Sequence, residues 1–208
     1  MRYIPFVFSF IFFIPFNLNA QEIDMKTIEN PVVLPYHQIP DAPESYSPQN
    51  VAARMIDGLG YRYYWATEGL REDDLAFTPG NNGRNAGGTL DHLYNLAGTI
   101  LNGTKNEPNI RPLKEEEMSW EEKRKATLER LKAASDQLKS KSEIPLDDLN
   151  VIFQRGDRSS SFPFWNLING PIADAMTHVG QIVSYRRSAG NPINPMVNVF
   201  IGKTKTEK

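Results

Sequence analysis

Apolar residues recur at intervals of three and four positions in four segments of the chain, which places them on one face of an α-helix. The segments run from about residue 48 to 70, 89 to 102, 119 to 139 and 163 to 190. Between the third and the fourth, residues 151–153 form the only stretch with the composition of a strand. Four amphipathic helices with almost no strand signal predict an all-α fold, a four-helix bundle.

Capping residues support three of the predicted helix ends. Ser47 followed by Pro48 is typical of a helix start, with the serine as cap and the proline in the first turn. Ser119 and Glu122 have the spacing of a capping box. Gly190 predicts the end of the last helix, because glycine adopts the left-handed conformation that follows many helices.

The same periodicity assigns individual residues to helix faces. Asp57 falls on the polar face of the first helix, and Trp165 falls on the apolar arc of the last. Residues 21–47 contain four prolines and show no sustained period. They predict an extended leader that lies over the helical domain.

The first 20 residues predict a secretory signal peptide. Arg2 precedes a short apolar run from Ile4 to Phe16, and Ala20 provides a small residue before the cleavage point. An uncleaved anchor is the alternative, although the run is shorter than the roughly 20 apolar residues that span a bilayer. We expect an exported protein, periplasmic or extracellular, that is free of the membrane after cleavage. The expected divisions are the signal peptide (1–20), the leader (21–47), the helical domain (48–192) and a tail (193–208).

Composition narrows the classes of partner and ligand. Loss of residues 1–20 removes one arginine and leaves 22 basic and 25 acidic residues, a formal net charge of −3. This balance argues against a nucleic-acid surface, which needs a basic excess. The chain has no cysteine, so disulfides, lipid-modified cysteine and cysteine metal ligands are excluded. Homodimerisation is left open by the sequence.

The candidate chemistry lies in the last helix. Asp174 and His178 are four residues apart, so they share one helical face. If His92 joins them, the result is a two-histidine, one-carboxylate set that leaves coordination positions open, as catalytic metal sites do. The alternative is a simple polar pair on the helix surface. Gln181 and Tyr185 lie on the same side of the last helix as Asp174.

Two strings of residues resemble the DinB-like (YfiT-like) superfamily. They are Thr89-Leu-Asp-His92 and His178-Val-Gly-Gln181-Ile-Val-Ser-Tyr-Arg-Arg187-Ser-Ala-Gly190-Asn-Pro192. The likeness covers residues 48–192, and the second string is its most specific part.

This resemblance implies a four-helix bundle in up-down-down-up order. Many members of the superfamily hold a divalent metal on three histidines, and some transfer thiols or isomerise thiol-dependent substrates. His92 matches the ligand of the second helix and His178 the final ligand of the last helix. Asp174 stands where the family usually has its other histidine. A carboxylate is also a competent ligand for Zn, Fe, Mn or Ni.

Two functions follow as hypotheses. The first is an exported metal-dependent enzyme, a hydrolase or thiol-transferase-like protein acting on an unknown small molecule. In this first hypothesis, His92, Asp174 and His178 hold the ion. Gln181 or Tyr185 orients one of these ligands by contacting it on the side away from the ion. The second is a non-catalytic bundle that binds a small molecule or partner and has a degenerate metal site.

Overall fold

The computed structural model describes residues 33–80, 82–114, 117–140 and 144–205 of the 208-residue chain. The predicted signal peptide lies outside the described residues. The elements in chain order are α1 (Pro48–Thr67), α2 (Glu72–Ala76), α3 (Ala86–Lys105), β1 (Pro108–Ile110), α4 (Trp120–Ser140), a 3₁₀ turn (Leu146–Asp148), β2 (Asn150–Arg155), β3 (Arg158–Pro163), α5 (Trp165–Leu167), a π-helical segment (Ile168–Ile172), α6 (Ala173–Ser188), β4 (Val197–Asn198) and β5 (Lys203–Thr204). The prediction of a mostly helical protein is confirmed. No helix among these residues is both long and apolar enough to cross a membrane.

Local hydrogen bonds explain where the long helices begin. The Ser47 hydroxyl accepts from the N–H of Asn50 at 3.2 Å, which caps α1. The predicted capping box is present at α4: Glu122 accepts from the N–H of Ser119 at 2.7 Å, and Ser119 Oγ accepts from the N–H of Glu122 at 3.2 Å. α3 runs past the predicted end at residue 102 and stops at Asn106, which adopts a left-handed φ of 61°.

The four long helices pack so that each contacts two others. α4 contacts α1 and α3, and α6 also contacts α1 and α3. Their apolar stripes meet in one hydrophobic core, as the periodicity predicts. Fully buried members of this core include Ile56, Leu59, Ile100, Leu128, Leu131, Leu138 and Ile182.

The strand predicted at residues 151–153 is confirmed within β2, but the structure has more strand than the sequence predicts, because two small sheets accompany the helices. In the first, β2 pairs in parallel with β1 and antiparallel with β3. The hairpin between β2 and β3 turns at Gly156 and Asp157, with Gly156 at a left-handed φ of 56°. All of β3 is exposed, so its sequence lacks the alternation by which a half-buried strand is detected. β4 and β5 form the second sheet.

Asp57 is fully buried, which corrects its prediction as a residue of the polar face. Its carboxylate accepts from the Tyr36 hydroxyl at 3.0 Å and from Lys139 Nζ at 2.7 Å. Burial, reinforced by the Asp57 charge, raises the pKa of Tyr36 far above its ordinary value. Gly60 leaves room for the Tyr36 ring, since a Cβ there would lie 2.4 Å from the ring. The described part of the leader therefore packs into the helices through a buried polar contact.

Arg186 ties the end of α1 to the end of α6. It is 3% exposed, and its Nη1 donates to the carbonyls of Trp65, Ala66 and Glu68 at 3.2, 3.1 and 2.9 Å. These are among the last carbonyls of α1, which have no partner within the helix. Arg186 Nε also donates to the carbonyl of Asn191 at 2.6 Å. The Arg186 guanidinium thus supplies hydrogen-bond donors to backbone carbonyls in two separate segments of the chain.

Asn191 extends this anchor to Asp74. Its Nδ2 donates to Asp74 Oδ2 at 2.6 Å and to the carbonyl of Gly69 at 2.9 Å. The carboxylate of Asp74 has no exposed side-chain surface and also accepts from Arg71 Nη2 at 2.8 Å. These contacts, with the Arg71 guanidinium foremost, hold the pKa of Asp74 well below its usual range.

Arg186→Leu should lower the free energy of unfolding by about 3 kcal/mol or more, because it leaves buried carbonyls without donors. Urea denaturation followed by circular dichroism measures the loss. Arg187→Leu is the matched control, since Arg187 is exposed on the same turn, and it should change stability by no more than about 0.5 kcal/mol. Equal effects of the two substitutions would contradict the anchoring role.

Asp74→Asn should destabilise the protein at neutral pH, and its deficit relative to wild type should shrink in acid. The folded pKa lies below the unfolded one, so the stabilisation is complete above about pH 4. It disappears as the pH falls further toward the folded pKa, because the unfolded chain binds the proton first. Urea titrations from about pH 7 to 2 test this, with the exposed Asp73→Asn as control; a deficit independent of pH would refute it.

Candidate metal centre

The structure brings His92, Asp174 and His178 together between α3 and α6. His92 Nε2 lies 3.0 Å from Asp174 Oδ2, and His178 Nε2 lies 3.3 Å from Asp174 Oδ1. One donor atom from each residue falls within 4.8 Å of the others. The two imidazole rings are perpendicular, with centroids 4.7 Å apart. Asp174 thus uses one oxygen toward each histidine, although 82 positions separate it from His92 in sequence.

The packing of α6 against α3 sets this geometry. Leu167 packs against α3 at Gly103, which has no side chain. A Cβ added to Gly103 would lie only 2.8 Å from Leu167 Cδ1. The π-helical segment follows at once and contains Pro171. Proline has no N–H to give to the helix ladder, which favours a local change of winding. The change ends at Ala173, so Asp174 and His178 lie on the regular helix that follows.

Trp165 is 72% exposed, which corrects its prediction on the buried arc of the last helix. A wheel of about 100° per residue assumes one continuous α-helix. The π-helical segment winds more slowly, so positions before it lose their phase relative to α6. β3 also extends to Pro163, where the last helix was expected to begin.

The three candidate ligands are partly accessible to solvent. The side chains of His92, Asp174 and His178 are 33%, 43% and 18% exposed. A small molecule or ion can therefore reach the donors without unfolding of the helices. Because the carboxylate is well solvated, its contacts with the two imidazoles contribute little to folding stability.

The donor chemistry fits a divalent transition metal. Two imidazole nitrogens and one carboxylate oxygen are ligands that Zn, Fe, Mn and Ni accept. Metal–ligand bonds of about 2.0 to 2.2 Å place neighbouring donors roughly 3.4 Å apart in a tetrahedral site. The donors found here are within 4.8 Å of one another, so small side-chain rotations would bring them to that spacing. Three protein ligands would leave at least one position open.

Gln181 contacts the nitrogen of His178 that does not face Asp174. Its Oε1 lies 2.8 Å from His178 Nδ1. An amide oxygen only accepts, so this contact places the proton on Nδ1 and leaves the lone pair on Nε2, the nitrogen that faces Asp174. Tyr185, the other predicted supporting residue, has its ring 5.7 Å from that of Phe77.

Sequence reasoning missed two features of this centre. It did not anticipate that Asp174 would bridge both histidines, since pattern analysis gives no distances between helices. It also missed the π-helical segment, although Asn169-Gly170-Pro171 is a helix-breaking tripeptide.

His37, the third histidine of the chain, lies apart from this centre in the leader, where its exposed ring contacts Tyr64.

No protein-family model, curated protein or solved structure gives a significant match to this chain.

Gln181→Leu should weaken zinc affinity about 10- to 100-fold, because it removes the acceptor that fixes the His178 tautomer. Competition with a chromogenic chelator measures the affinity. Ser184→Ala is the control, since Ser184 is exposed one turn further along α6. If both variants bind zinc as the wild type does, Gln181 has no supporting role.

Proposed function

We propose that this protein is an exported, metal-dependent enzyme of the DinB-like superfamily. His92, Asp174 and His178 would hold one divalent ion. The single observation that carries the proposal is the meeting of these three side chains between two helices, with donor atoms within 4.8 Å of one another. The residue strings around His92 and His178 also support the proposal, and Asp174 shares a helical face with His178.

The proposed fold is the four-helix bundle in up-down-down-up order. The ring of contacts among α1, α4, α3 and α6 supports this arrangement. Two parallel neighbours need a long connection, and residues 106–119 separate α3 from α4. At about 3.3 Å per residue, this connection can return along a 20-residue helix, which is about 30 Å long.

A bound ion would supply Lewis-acid chemistry, lowering the pKa of a water or thiol in an open position and polarising a substrate oxygen. Two residues of the chain would adjust the properties of this ion and its ligands. Gln181 would keep the His178 ring in the ligating tautomer, and Asp174 would add a negative charge that a three-histidine site lacks. The exposure of Asp174 would leave room for a small substrate beside the ligands.

Hydrolysis suits the proposal better than thiol transfer. The usual low-molecular-weight thiol cosubstrates are cytoplasmic, whereas the N-terminal residues predict export. Water is available in any compartment. The substrate would be a small molecule, since the candidate ligands lie between two helices and are only partly exposed.

A specific observation also favours a second candidate, a non-catalytic bundle. The Asp174 carboxylate lies 3.0 and 3.3 Å from the two imidazoles, so the three side chains form a polar cluster without an ion when each imidazole carries a proton on the nitrogen that faces the carboxylate. In that case the cluster would make a small contribution to the packing of α3 against α6, and the protein would bind a small molecule or partner elsewhere.

Protein purified from the periplasm without an affinity tag should contain about one equivalent of a transition metal, as three ligands predict. Inductively coupled plasma mass spectrometry measures the content and identifies the metal. His92→Ala and Asp174→Ala should each lose the metal, whereas Asp91→Ala, next to His92, should retain it. Asp174→His should keep the metal, because it restores the usual ligand of the superfamily.

An empty wild-type protein that also refuses added Zn, Fe, Mn and Ni would contradict the enzyme proposal. Whatever the metal content, a His178→Ala variant gives a second, independent comparison of the two candidates. The non-catalytic bundle predicts a lower melting temperature for this variant in the presence and absence of a chelator. The metal centre predicts that the chelator lowers the melting temperature of the wild type and leaves that of the variant unchanged.

A further inference from the structure

A cleft of about 450 Å³ opens between α3, α4 and the segment 108–114. Its size falls within the range of small-molecule sites. None of the three candidate metal ligands lines it, so it is chemically separate from the metal centre. Ligand binding in this cleft would not require a metal ion at the other site.

Three cations line the described part of the cleft. They are Arg111, Lys114 and Arg130, and none forms an ion pair with a described residue. The described lining contains no aspartate or glutamate. Like charges gathered in a concave surface focus a positive potential inside it.

Arg130 is held firmly in this position. Its guanidinium carbon lies 3.9 Å from the centre of the Tyr94 ring, and Nη2 donates to the tyrosine hydroxyl at 2.7 Å. Nη1 donates to the carbonyl of the same residue at 3.2 Å. Gly98 gives the guanidinium space, since a Cβ there would be 3.4 Å from Nη1. These two bonds use two of the five N–H donors of arginine and leave the others for a ligand.

Arg111 lines the cleft from the segment that follows β1. Its guanidinium carbon lies 5.6 Å from the Phe153 ring centre, and its backbone N–H donates to the carbonyl of Gln154 at 2.7 Å. The amide of Asn95, half-buried in the cleft wall, forms no hydrogen bond with a described residue. Two guanidinium groups and a free amide thus provide planar donors from different elements.

The cleft also presents apolar surface. Ile110 and Leu113 line it and are 54% and 48% exposed. An adjoining groove carries two carboxylates, Asp91 and Glu117. Asp91 is paired with Lys123 at 2.7 Å. Lys114 and Lys123 line the same groove, so Glu117, which forms no ion pair with a described residue, is the carboxylate that would repel an anion there.

We propose that this cleft binds a small phosphomonoester. Its phosphate dianion would lie between the guanidinium groups of Arg111 and Arg130, with Lys114 compensating the remaining charge. Arginine matches the oxygens of phosphate with paired donors, and a dianion balances more of the three positive charges than a carboxylate does. The organic part of the ligand would cover Ile110 and Leu113.

Isothermal titration calorimetry with phenyl phosphate, inorganic phosphate and benzoate tests the proposal on the full mature chain. Phenyl phosphate should bind most tightly, inorganic phosphate more weakly, and benzoate weakest. Arg111→Gln and Arg130→Gln should each weaken phenyl phosphate binding about tenfold or more, since each removes charge-assisted hydrogen bonds. Binding should also weaken as the salt concentration rises.

Two further variants make the test decisive. Arg155→Gln carries the same change of charge at an exposed position outside the cleft and should bind as the wild type does. His92→Ala shows whether phosphate reaches the metal centre instead. The proposal is overturned if phenyl phosphate does not bind, if benzoate binds equally well, if Arg111→Gln leaves binding unchanged, or if His92→Ala abolishes it.

Discussion

The position of the last helix depends on one buried guanidinium. Arg186 donates to three carbonyls at the end of α1 and to the backbone of Asn191, so it fixes the C-terminal end of α6. On the other side of α6, before the π-helical segment that leads into it, Leu167 of α5 packs directly on the backbone of α3 at Gly103. A helix held at both ends has little freedom to slide. The contacts of Arg186 and Leu167 therefore set the relative positions of α3 and α6 at the candidate metal centre, and none of the three candidate ligands takes part in them.

This support matters because the ligands themselves contribute little to holding the helices together. Their side chains are partly exposed, and solvated contacts between carboxylate and imidazole are weak. An arriving ion would replace those contacts at small cost, since the same atoms would become its ligands. A rigid scaffold with weak internal contacts at the site favours binding of a ligand without rearrangement of the fold.

The sequence predicted the features that repeat along one element. Core stripes such as Leu128, Leu131 and Leu138 and the capping box at Ser119 depend on spacings of three and four residues, which a sequence displays directly. Features that depend on other elements were missed. Asp57 looked solvent-exposed because its partners, Tyr36 and Lys139, come from segments far away in the chain. The exposed strand β3 has no buried face, and therefore no pattern to detect.

The last residues of α6 and the turn after it stabilise the fold. In the string that begins at His178, the stretch from Arg186 to Asn191 anchors helix ends through backbone carbonyls and the buried Asp74. Such residues would be needed for the fold whatever reaction it served, so they support a fold and leave the reaction open. Any metal chemistry would depend instead on the three donors, where the Asp174 carboxylate adds a negative charge. If these donors hold an ion, the identity of the metal would indicate which reactions to test.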